Sequence, residues 1–143
     1  MEARATVVEK ALRRMLSNGP LTAVPKRRED EELLMRLAAA RFEAGREYTE
    51  AEVNEVLEEW LATFCAPYGI DHVTLRRALV DSRLLRRDTA GAAYRVDSSR
   101  LPALREEARV AGEPARVMAQ IREERAARKR DHLPGAGLSD RTD

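Results

Sequence analysis

At residues 48–57 the chain reads YTEAEVNEVL, at residues 71–81 it reads DHVTLRRALVD, and at residues 84–96 it reads LLRRDTAGAAYRV. The first segment has the spacing of a capped amphipathic helix, the second that of a shorter helix with a basic face, and the third that of a hairpin. Pro67 and Gly69 separate the two helices. This order is typical of a winged helix-turn-helix. The sequence therefore predicts a mainly α fold with a small β-hairpin, flanked by N- and C-terminal helices.

The first of these helices has clear start signals. Thr49 and Glu52 stand in the S/T-x-x-E arrangement of a capping box, in which side chains bond free backbone amides of the first turn. Tyr48 and Val53 occupy the two positions of a hydrophobic staple. The apolar face that follows consists of Val53, Val56, Leu57, Trp60, Leu61 and Phe64. We expect this face to carry one side of the core.

The second helix begins at Asp71, a favoured N-cap residue. Its narrow apolar side consists of Leu75, Ala78 and Leu79. In a winged helix-turn-helix the exposed N-terminal half of this helix enters the DNA major groove. Thr74 and Arg77 are then the predicted base readers, because arginine matches the O6 and N7 acceptors of guanine. The alternative is that Arg76 and Arg77 are solvated surface charges.

The hairpin follows directly, with turn residues at 88–91. Its arginines are expected to lie along phosphates, which fix register without reading sequence. These are Arg86, Arg87 and Arg95. Arg83 occupies the position at which helices commonly end on a left-handed glycine. The cap there is therefore expected to be strained or of another type.

The sequence divides into an N-terminal helix with a connector (1–24), the winged helix-turn-helix domain (25–97), C-terminal helices (98–130) and a disordered tail (131–143). The first helix, at residues 4–17, has an apolar stripe of Val7, Val8, Ala11, Leu12, Met15 and Leu16. Such a stripe either packs on its own domain or pairs with a second copy. A homodimer through the terminal helices is therefore one prediction.

Three other helices are expected. One runs from about Asp30 to Phe42 and turns Leu33, Leu34, Leu37, Ala38 and Phe42 inward. Residues 97–99 should cap a short helix near 101–110. Residues 112–114 should break that helix and start a longer one, since proline is tolerated in a first turn. The apolar face of the longer helix is weak and consists of Val117, Met118 and Ile121.

Charge is distributed unevenly along a chain whose formal net charge is only +1. Residues 29–66 hold eleven acidic and three basic residues, whereas residues 71–100 hold four acidic and seven basic ones. Such segregation suits a DNA-binding face, because phosphates attract one side and repel the other. A further basic cluster, Lys26, Arg27 and Arg28, precedes the second helix of the chain.

Several classes of function are disfavoured. The chain has no apolar run near 18 residues and no signal-peptide pattern, so a cytoplasmic protein without membrane contact is expected. Cys65 and His72 are too few for a zinc site, and Cys65 is expected to be a small core residue. No phosphate loop, nucleophile elbow or metal-binding pair on a helix is present. We therefore predict no enzymatic activity, no metal and no cofactor.

The pattern Tyr-Thr-Glu-x-Glu-Val-Asn at 48–54, with Asp-His-Val-Thr-Leu-Arg-Arg at 71–77, resembles the bacterial family DUF2087 over residues 25–96. The resemblance implies a link to transcription, since members occur alone or fused to helix-turn-helix regulators. The family motif also indicates a set of polar residues, Glu50, Asn54, Asp71 and His72. They could form a network between helices or receive a ligand. Alternatively, Asp71 only caps its helix and His72 bonds locally.

Two hypotheses follow. In the first, the protein is a DNA-binding transcriptional regulator that contacts double-stranded DNA through His72, Thr74, Arg76, Arg77, Arg86, Arg87, Arg95, Lys26, Arg27 and Arg28. In the second, the winged fold is a protein- or ribonucleoprotein-interaction module without sequence-specific DNA binding. Its acidic helices or its basic C-terminal end, at 125–130, would then contact a protein or a structured RNA.

Overall fold

The computed structural model describes residues 2–90 and 93–132, with the side chains of residues 7–90 and 93–131. Within them lie six helices and two strands: α1 Glu2–Met15, α2 Arg28–Ala39, α3 Glu50–Ala62, α4 His72–Asp81, β1 Leu85–Arg87, β2 Tyr94–Val96, α5 Leu101–Ala111 and α6 Pro114–His132. The predicted mainly α fold with a small hairpin is confirmed. Asp131 and His132, which were assigned to the predicted tail, belong to α6. Residues 133–143, and Gly91 of the predicted turn, lie outside the described residues.

The start of α3 has the predicted capping box. The hydroxyl of Thr49 accepts from the amide of Glu52 at 3.1 Å, and the amide of Thr49 donates to Oε1 of Glu52 at 2.9 Å. Most of the predicted apolar face is buried, namely Val53, Leu57, Trp60, Leu61 and Phe64. The inward side of α2 is also as predicted, with Leu33, Leu34, Leu37 and Ala38 buried. Phe42 is buried as predicted but lies beyond the end of the helix. Local periodicity was sufficient here because both helices face one continuous core.

The end of α4 explains the unusual position of Arg83. The amide of Leu84 donates to the carbonyl of Leu79, and the amide of Arg83 donates to the carbonyl of Val80, each at 3.0 Å. These two bonds form a Schellman motif, in which the residue after the cap is left-handed. Arg83 takes that conformation with φ of 65°. A side chain other than glycine there costs about 1 kcal/mol.

The hairpin is extended by the segment that precedes α3. β1 and β2 are antiparallel, with Leu85 opposite Val96 and Arg86 opposite Arg95. Tyr48 then pairs with the outer edge of β2: its amide donates to the carbonyl of Tyr94 at 2.9 Å, and the reverse bond measures 2.8 Å. This pairing fixes the start of α3 to the hairpin.

The N-terminal stripe packs within the chain. Val8, Leu12 and Leu16 are buried, and α1 contacts α2, α5 and α6. Asp30 of α2 is also buried and accepts from Nη2 of Arg14 at 2.5 Å. The homodimer through the terminal helices therefore stays a prediction, and the buried part of this stripe no longer supports it.

The prediction that residues 97–99 cap α5 was wrong. The N-cap residue is Arg100, and it makes no side-chain capping bond. Instead, Oδ1 of Asp97 accepts from the amide of Ser99 at 3.1 Å and from its hydroxyl at 2.7 Å. The aspartate thus closes a turn of its own before the helix begins, a local alternative that aspartate commonly adopts. α6 does begin at Pro114, with Val117 and Ile121 buried.

Candidate nucleic-acid interface

The outer face of α4, defined as Thr74, Arg77 and Asp81, is exposed. The guanidinium of Arg77 makes no ion pair or side-chain hydrogen bond with any residue that the structure describes. The hydroxyl of Thr74 donates to Oδ2 of Asp71, the N-cap residue, at 3.2 Å. Both predicted base readers therefore face solvent, although carboxylates lie at both ends of the same face.

The neighbouring Arg76 has the opposite environment. Its side chain is only 12% exposed, its Nη1 donates to Oδ1 of Asn54 at 2.6 Å, and its Nη2 lies 3.8 Å from Oε2 of Glu50. The hydroxyl of Tyr94 in turn donates to Oε1 of Glu50 at 3.3 Å. We call these four residues the α3–α4 network. The guanidinium of Arg76 thus joins α4 to α3, and the predicted phosphate contact by Arg76 would require these contacts to open.

The predicted polar set divides into two parts. Glu50 and Asn54 belong to the α3–α4 network, whereas His72 lies elsewhere, with its Nδ1 3.4 Å from Oε2 of Glu58 and 3.8 Å from Oδ1 of Asp71. Slight desolvation of the Asp71 carboxylate raises its pKa. Hydrogen bonds from the Val73 amide and from the Thr74 hydroxyl and amide together outweigh this effect, so the pKa of Asp71 is lowered overall. Asp71 therefore acts as a helix cap, and His72 interacts mainly with the acidic side of α3.

The hairpin arginines differ in availability. Arg95 forms an ion pair with Glu47. Arg86 and Arg87 are exposed, and the guanidinium of Arg87 lies 6.0 Å from the centre of the Tyr94 ring. The pKa of Asp97 is lowered first by the Ser99 hydroxyl, with Arg86 adding a weaker electrostatic effect. The hairpin thus presents two exposed arginines besides the ion-paired Arg95, and the predicted contact by Arg95 would require its ion pair to open.

The basic cluster at 26–28 is exposed at the start of α2. Arg28 lies 3.4 Å from Glu32, whereas Lys26 and Arg27 have no ion pair within the described part of the chain. The connector before it is fixed beside the turn that leads to α4, because the amide of Leu21 donates to the carbonyl of Phe64 at 3.1 Å. A Cβ at Gly69 would lie only 2.9 Å from the Leu21 carbonyl oxygen. The turn before α4 therefore requires glycine there.

A cleft, which we call the Tyr68 cleft, lies between the end of α3 and the start of α4 and has a volume of about 800 Å³. It is lined by Glu58, Leu61, Ala62, Cys65, Ala66, Pro67, Tyr68, Ile70, Asp71 and His72. Tyr68 is fully exposed and left-handed, with φ of 63°. Burial raises the pKa of Cys65 to about 12, so the thiol stays protonated at neutral pH. The sequence did not predict this cleft; an aromatic residue in the turn after Pro67 was its only signal.

No group of three or more histidine, cysteine, aspartate or glutamate side chains is placed to hold a metal ion among the described residues. No helix in the described segments combines the length and apolar character needed to cross a lipid bilayer.

The described residues define a small helical protein with a two-stranded hairpin, in which one exposed arginine of α4 lies close in sequence to the two exposed arginines of β1. The model of the family DUF2087, described as an uncharacterized protein conserved in bacteria, matches residues 20–96, more than half of the chain. The chain belongs to this family, and the predicted resemblance is confirmed. The matched region ends with β2 and leaves α5 and α6 outside it. No curated protein and no solved structure matches the chain.

Proposed function

We propose that the region from α2 to β2 is a winged helix-turn-helix that binds double-stranded DNA as part of a transcriptional regulator. The order of its parts supports the class: a helix, the short pairing at Tyr48, two further helices and a two-stranded wing. α4 would lie in the major groove, with Thr74 and Arg77 toward base edges. Arg86 and Arg87 would contact phosphates from the wing.

The observation that carries this proposal is the guanidinium of Arg77, which has no ion pair or side-chain hydrogen bond in the described part of the chain. It lies on the outer face of a helix that contacts α3 and β1 through other residues, so a duplex could approach it without displacing the core. Of the other predicted contacts, His72, Arg76 and Arg95 have intramolecular partners, whereas Lys26 and Arg27 are exposed without an ion pair in the described segments. The expected phosphate contacts are therefore few.

Few phosphate contacts give a quantitative expectation for salt. Each neutralised phosphate contributes about −0.9 to the slope of log affinity against log salt concentration, so contacts by Arg86 and Arg87 predict a slope of about −2 per chain. The experiment is a fluorescence-anisotropy titration of duplexes selected from a random-sequence pool, repeated over a salt series. Arg86→Gln with Arg87→Gln should reduce the slope by about 2. A wild-type affinity for duplex DNA that does not depend on salt concentration would contradict the proposal.

The matched control for that experiment changes two charges elsewhere. Arg122 and Arg125 on α6 are exposed, and neither has an ion pair in the segments described. Arg122→Gln with Arg125→Gln gives the same net charge as the wing variant. The slope of this control should stay within experimental error of the wild type. An equal reduction in both variants would indicate a non-specific effect of net charge.

The dimer prediction belongs to this proposal, since two chains would present two reading helices to adjacent half-sites. The buried part of the α1 stripe is not available to a second copy, but Val7 of the same helix is 65% exposed. Light scattering of the full chain, with and without a selected duplex, decides the matter. A dimer through the outer side of α1 should be weakened by Val7→Glu, whereas a monomer under both conditions removes the dimer and leaves single-site binding.

A second candidate function is protein binding at the Tyr68 cleft. The backbone of Tyr68 is left-handed although its side chain is fully exposed. Packing against the described residues therefore does not explain this conformation. The cleft is largely apolar with Glu58 and Asp71 at one side, so the matching partner is a peptide that combines apolar and basic residues. Selection from a displayed peptide library tests this. Tyr68→Gly should weaken the selected peptides while leaving duplex binding unchanged; equal peptide affinity would remove this candidate.

A further inference from the structure

The bend between α5 and α6 forms a cleft against the end of α2, with a volume of about 410 Å³. We call it the elbow cleft. It is lined by Leu37, Ala40, Arg41, Trp60, Arg105, Ala108, Arg109, Gly112, Glu113, Pro114 and Arg116. Four of these residues are arginine and one is acidic, so the lining carries a positive charge. None of them belongs to α4 or to the hairpin.

The existing ion pairs leave part of that charge uncompensated. Nη1 of Arg41 lies 2.9 Å from Oε2 of Glu113, and Arg109 is paired with Glu106. Nη2 of Arg105, by contrast, donates to a backbone carbonyl, that of Phe42, at 3.0 Å. Arg116 has no ion pair or side-chain hydrogen bond with the described residues. Two of the four arginines therefore lack a carboxylate partner at this cleft.

The start of α6 adds donors to the same place. Pro114 is its first residue and has no N–H, and the amides of Ala115 and Arg116 precede the first intrahelical donor, the amide of Val117, which donates to the carbonyl of Glu113 at 2.9 Å. The amide end of a 19-residue helix favours a negative charge. Gly112 makes the bend with φ of 90°, and a Cβ there would come within 3.2 Å of Val117 Cγ2. The elbow therefore depends on this glycine.

The inner wall of the cleft is apolar. Leu37, Ala40 and Ala108 contribute aliphatic surface, and Trp60 lies among them, 4% exposed and edge-on to Phe64 with 4.7 Å between ring centres. Arginines at the rim and an apolar wall within suit a ligand with one charged end and one apolar end. The cleft volume is within the range of small-molecule sites.

We propose that the elbow cleft binds a small organic oxyanion, meaning a carboxylate or phosphate monoester on an apolar body. The anion would lie between Arg105, Arg116 and the first amides of α6, and the body would pack toward Trp60. The site joins the family domain to α5 and α6, since Trp60 lies within residues 20–96 and the two arginines lie beyond them. The inference does not depend on DNA binding.

The experiment uses the full chain and its single tryptophan, Trp60, whose emission reports on the cleft. Phenyl phosphate, benzoate and inorganic phosphate are titrated separately, with benzyl alcohol as the uncharged probe, and heats of binding are measured by calorimetry on the same samples. We expect saturable binding of phenyl phosphate or benzoate, weaker binding of inorganic phosphate and none of benzyl alcohol. The stronger of the two aromatic anions identifies the anionic group.

Arg116→Gln is the decisive variant, because the Arg116 side chain is exposed and makes no ion pair or side-chain hydrogen bond with the residues that the structure describes. It should weaken binding about tenfold, the loss expected for one charge-assisted hydrogen bond. Arg122→Gln on the same helix removes the same charge away from the cleft and should bind as the wild type does. Equal affinity of Arg116→Gln and wild type, binding of benzyl alcohol as strong as that of the anions, or no saturable binding at all would each overturn the proposal.

Discussion

The two sides of α4 differ although their arginines are adjacent in sequence. Arg76 points into the α3–α4 network, where Asn54 and Glu50 hold it, whereas Arg77 points away from the domain and has no partner among the described residues. The first arginine is thus a structural residue that joins two helices. The second is available to another molecule. The Arg-Arg pattern therefore contains two arginines in different environments, and the packing of α3 against α4 is what distinguishes them.

Removing the inner arginine should have the largest effect on folding. Arg76→Met keeps an aliphatic side chain but leaves Asn54 and Glu50 without their cation, which should lower the free energy of unfolding by about 2 kcal/mol. Arg77→Met should change it by less than about 0.5 kcal/mol, as is usual for an exposed residue. Urea denaturation of both variants checks the difference. Equal losses would mean that the two sides of α4 are energetically alike.

The cap at the start of α4 supports both sides of the helix and gives a smaller, pH-dependent effect. Asp71→Ala should cost about 1 kcal/mol at neutral pH, because the Thr74 amide and hydroxyl lose their acceptor.

The pH dependence follows from the lowered pKa of Asp71. A carboxylate whose pKa is lower in the folded than in the unfolded chain stabilises the fold above its ordinary value of 3.8, and this contribution disappears as the pH falls through the folded value. Denaturation of the wild type and of Asp71→Asn over a pH series isolates this term, since asparagine caps without titrating. A difference between them that stays constant at acid pH would exclude the charge of Asp71 as the cause.

The end of α4 offers the smallest effect, with the opposite sign. Arg83→Gly should raise the free energy of unfolding by about 0.5 kcal/mol, because relief of the left-handed strain exceeds the extra chain entropy of glycine. Arg83→Ala is the control, since alanine removes the guanidinium and keeps the strain. Thermal unfolding should rank glycine above alanine and arginine, which should be nearly equal. A gain in the alanine variant would attribute the effect to charge.

The parts of the fold that could be predicted are those specified by neighbouring residues. The capping box of Thr49 and Glu52, the buried face of α3 and the hairpin all follow from patterns within about a dozen positions. The predicted cap of α5 was wrong because the Asp97 side chain could accept hydrogen bonds either within its own turn or from the first turn of a helix, and it does the former. Both outcomes use the same short-range chemistry, and only the surrounding structure chooses between them.

The candidate sites depend on contacts between distant segments, which is why they were predicted only in part. Exposure of Thr74 and Arg77 follows from helical periodicity within α4. The partner of Arg76 does not, because Asn54 is 22 positions away and its distance depends on how α3 and α4 pack. The elbow cleft brings together residues from α2, α3, α5 and α6, and no local pattern marks it.

We propose that the outer face of α4 contacts duplex DNA, and the most direct test is a charge reversal at Arg77, which has no partner among the residues that the structure describes. Arg77→Glu replaces one attractive contact by a repulsive one, so affinity for a selected duplex should fall at least about a hundredfold, while the unfolding midpoint stays unchanged. Arg122→Glu on α6 makes the same change in net charge and should keep most of the affinity. A duplex affinity of Arg77→Glu equal to that of Arg122→Glu would contradict the claim.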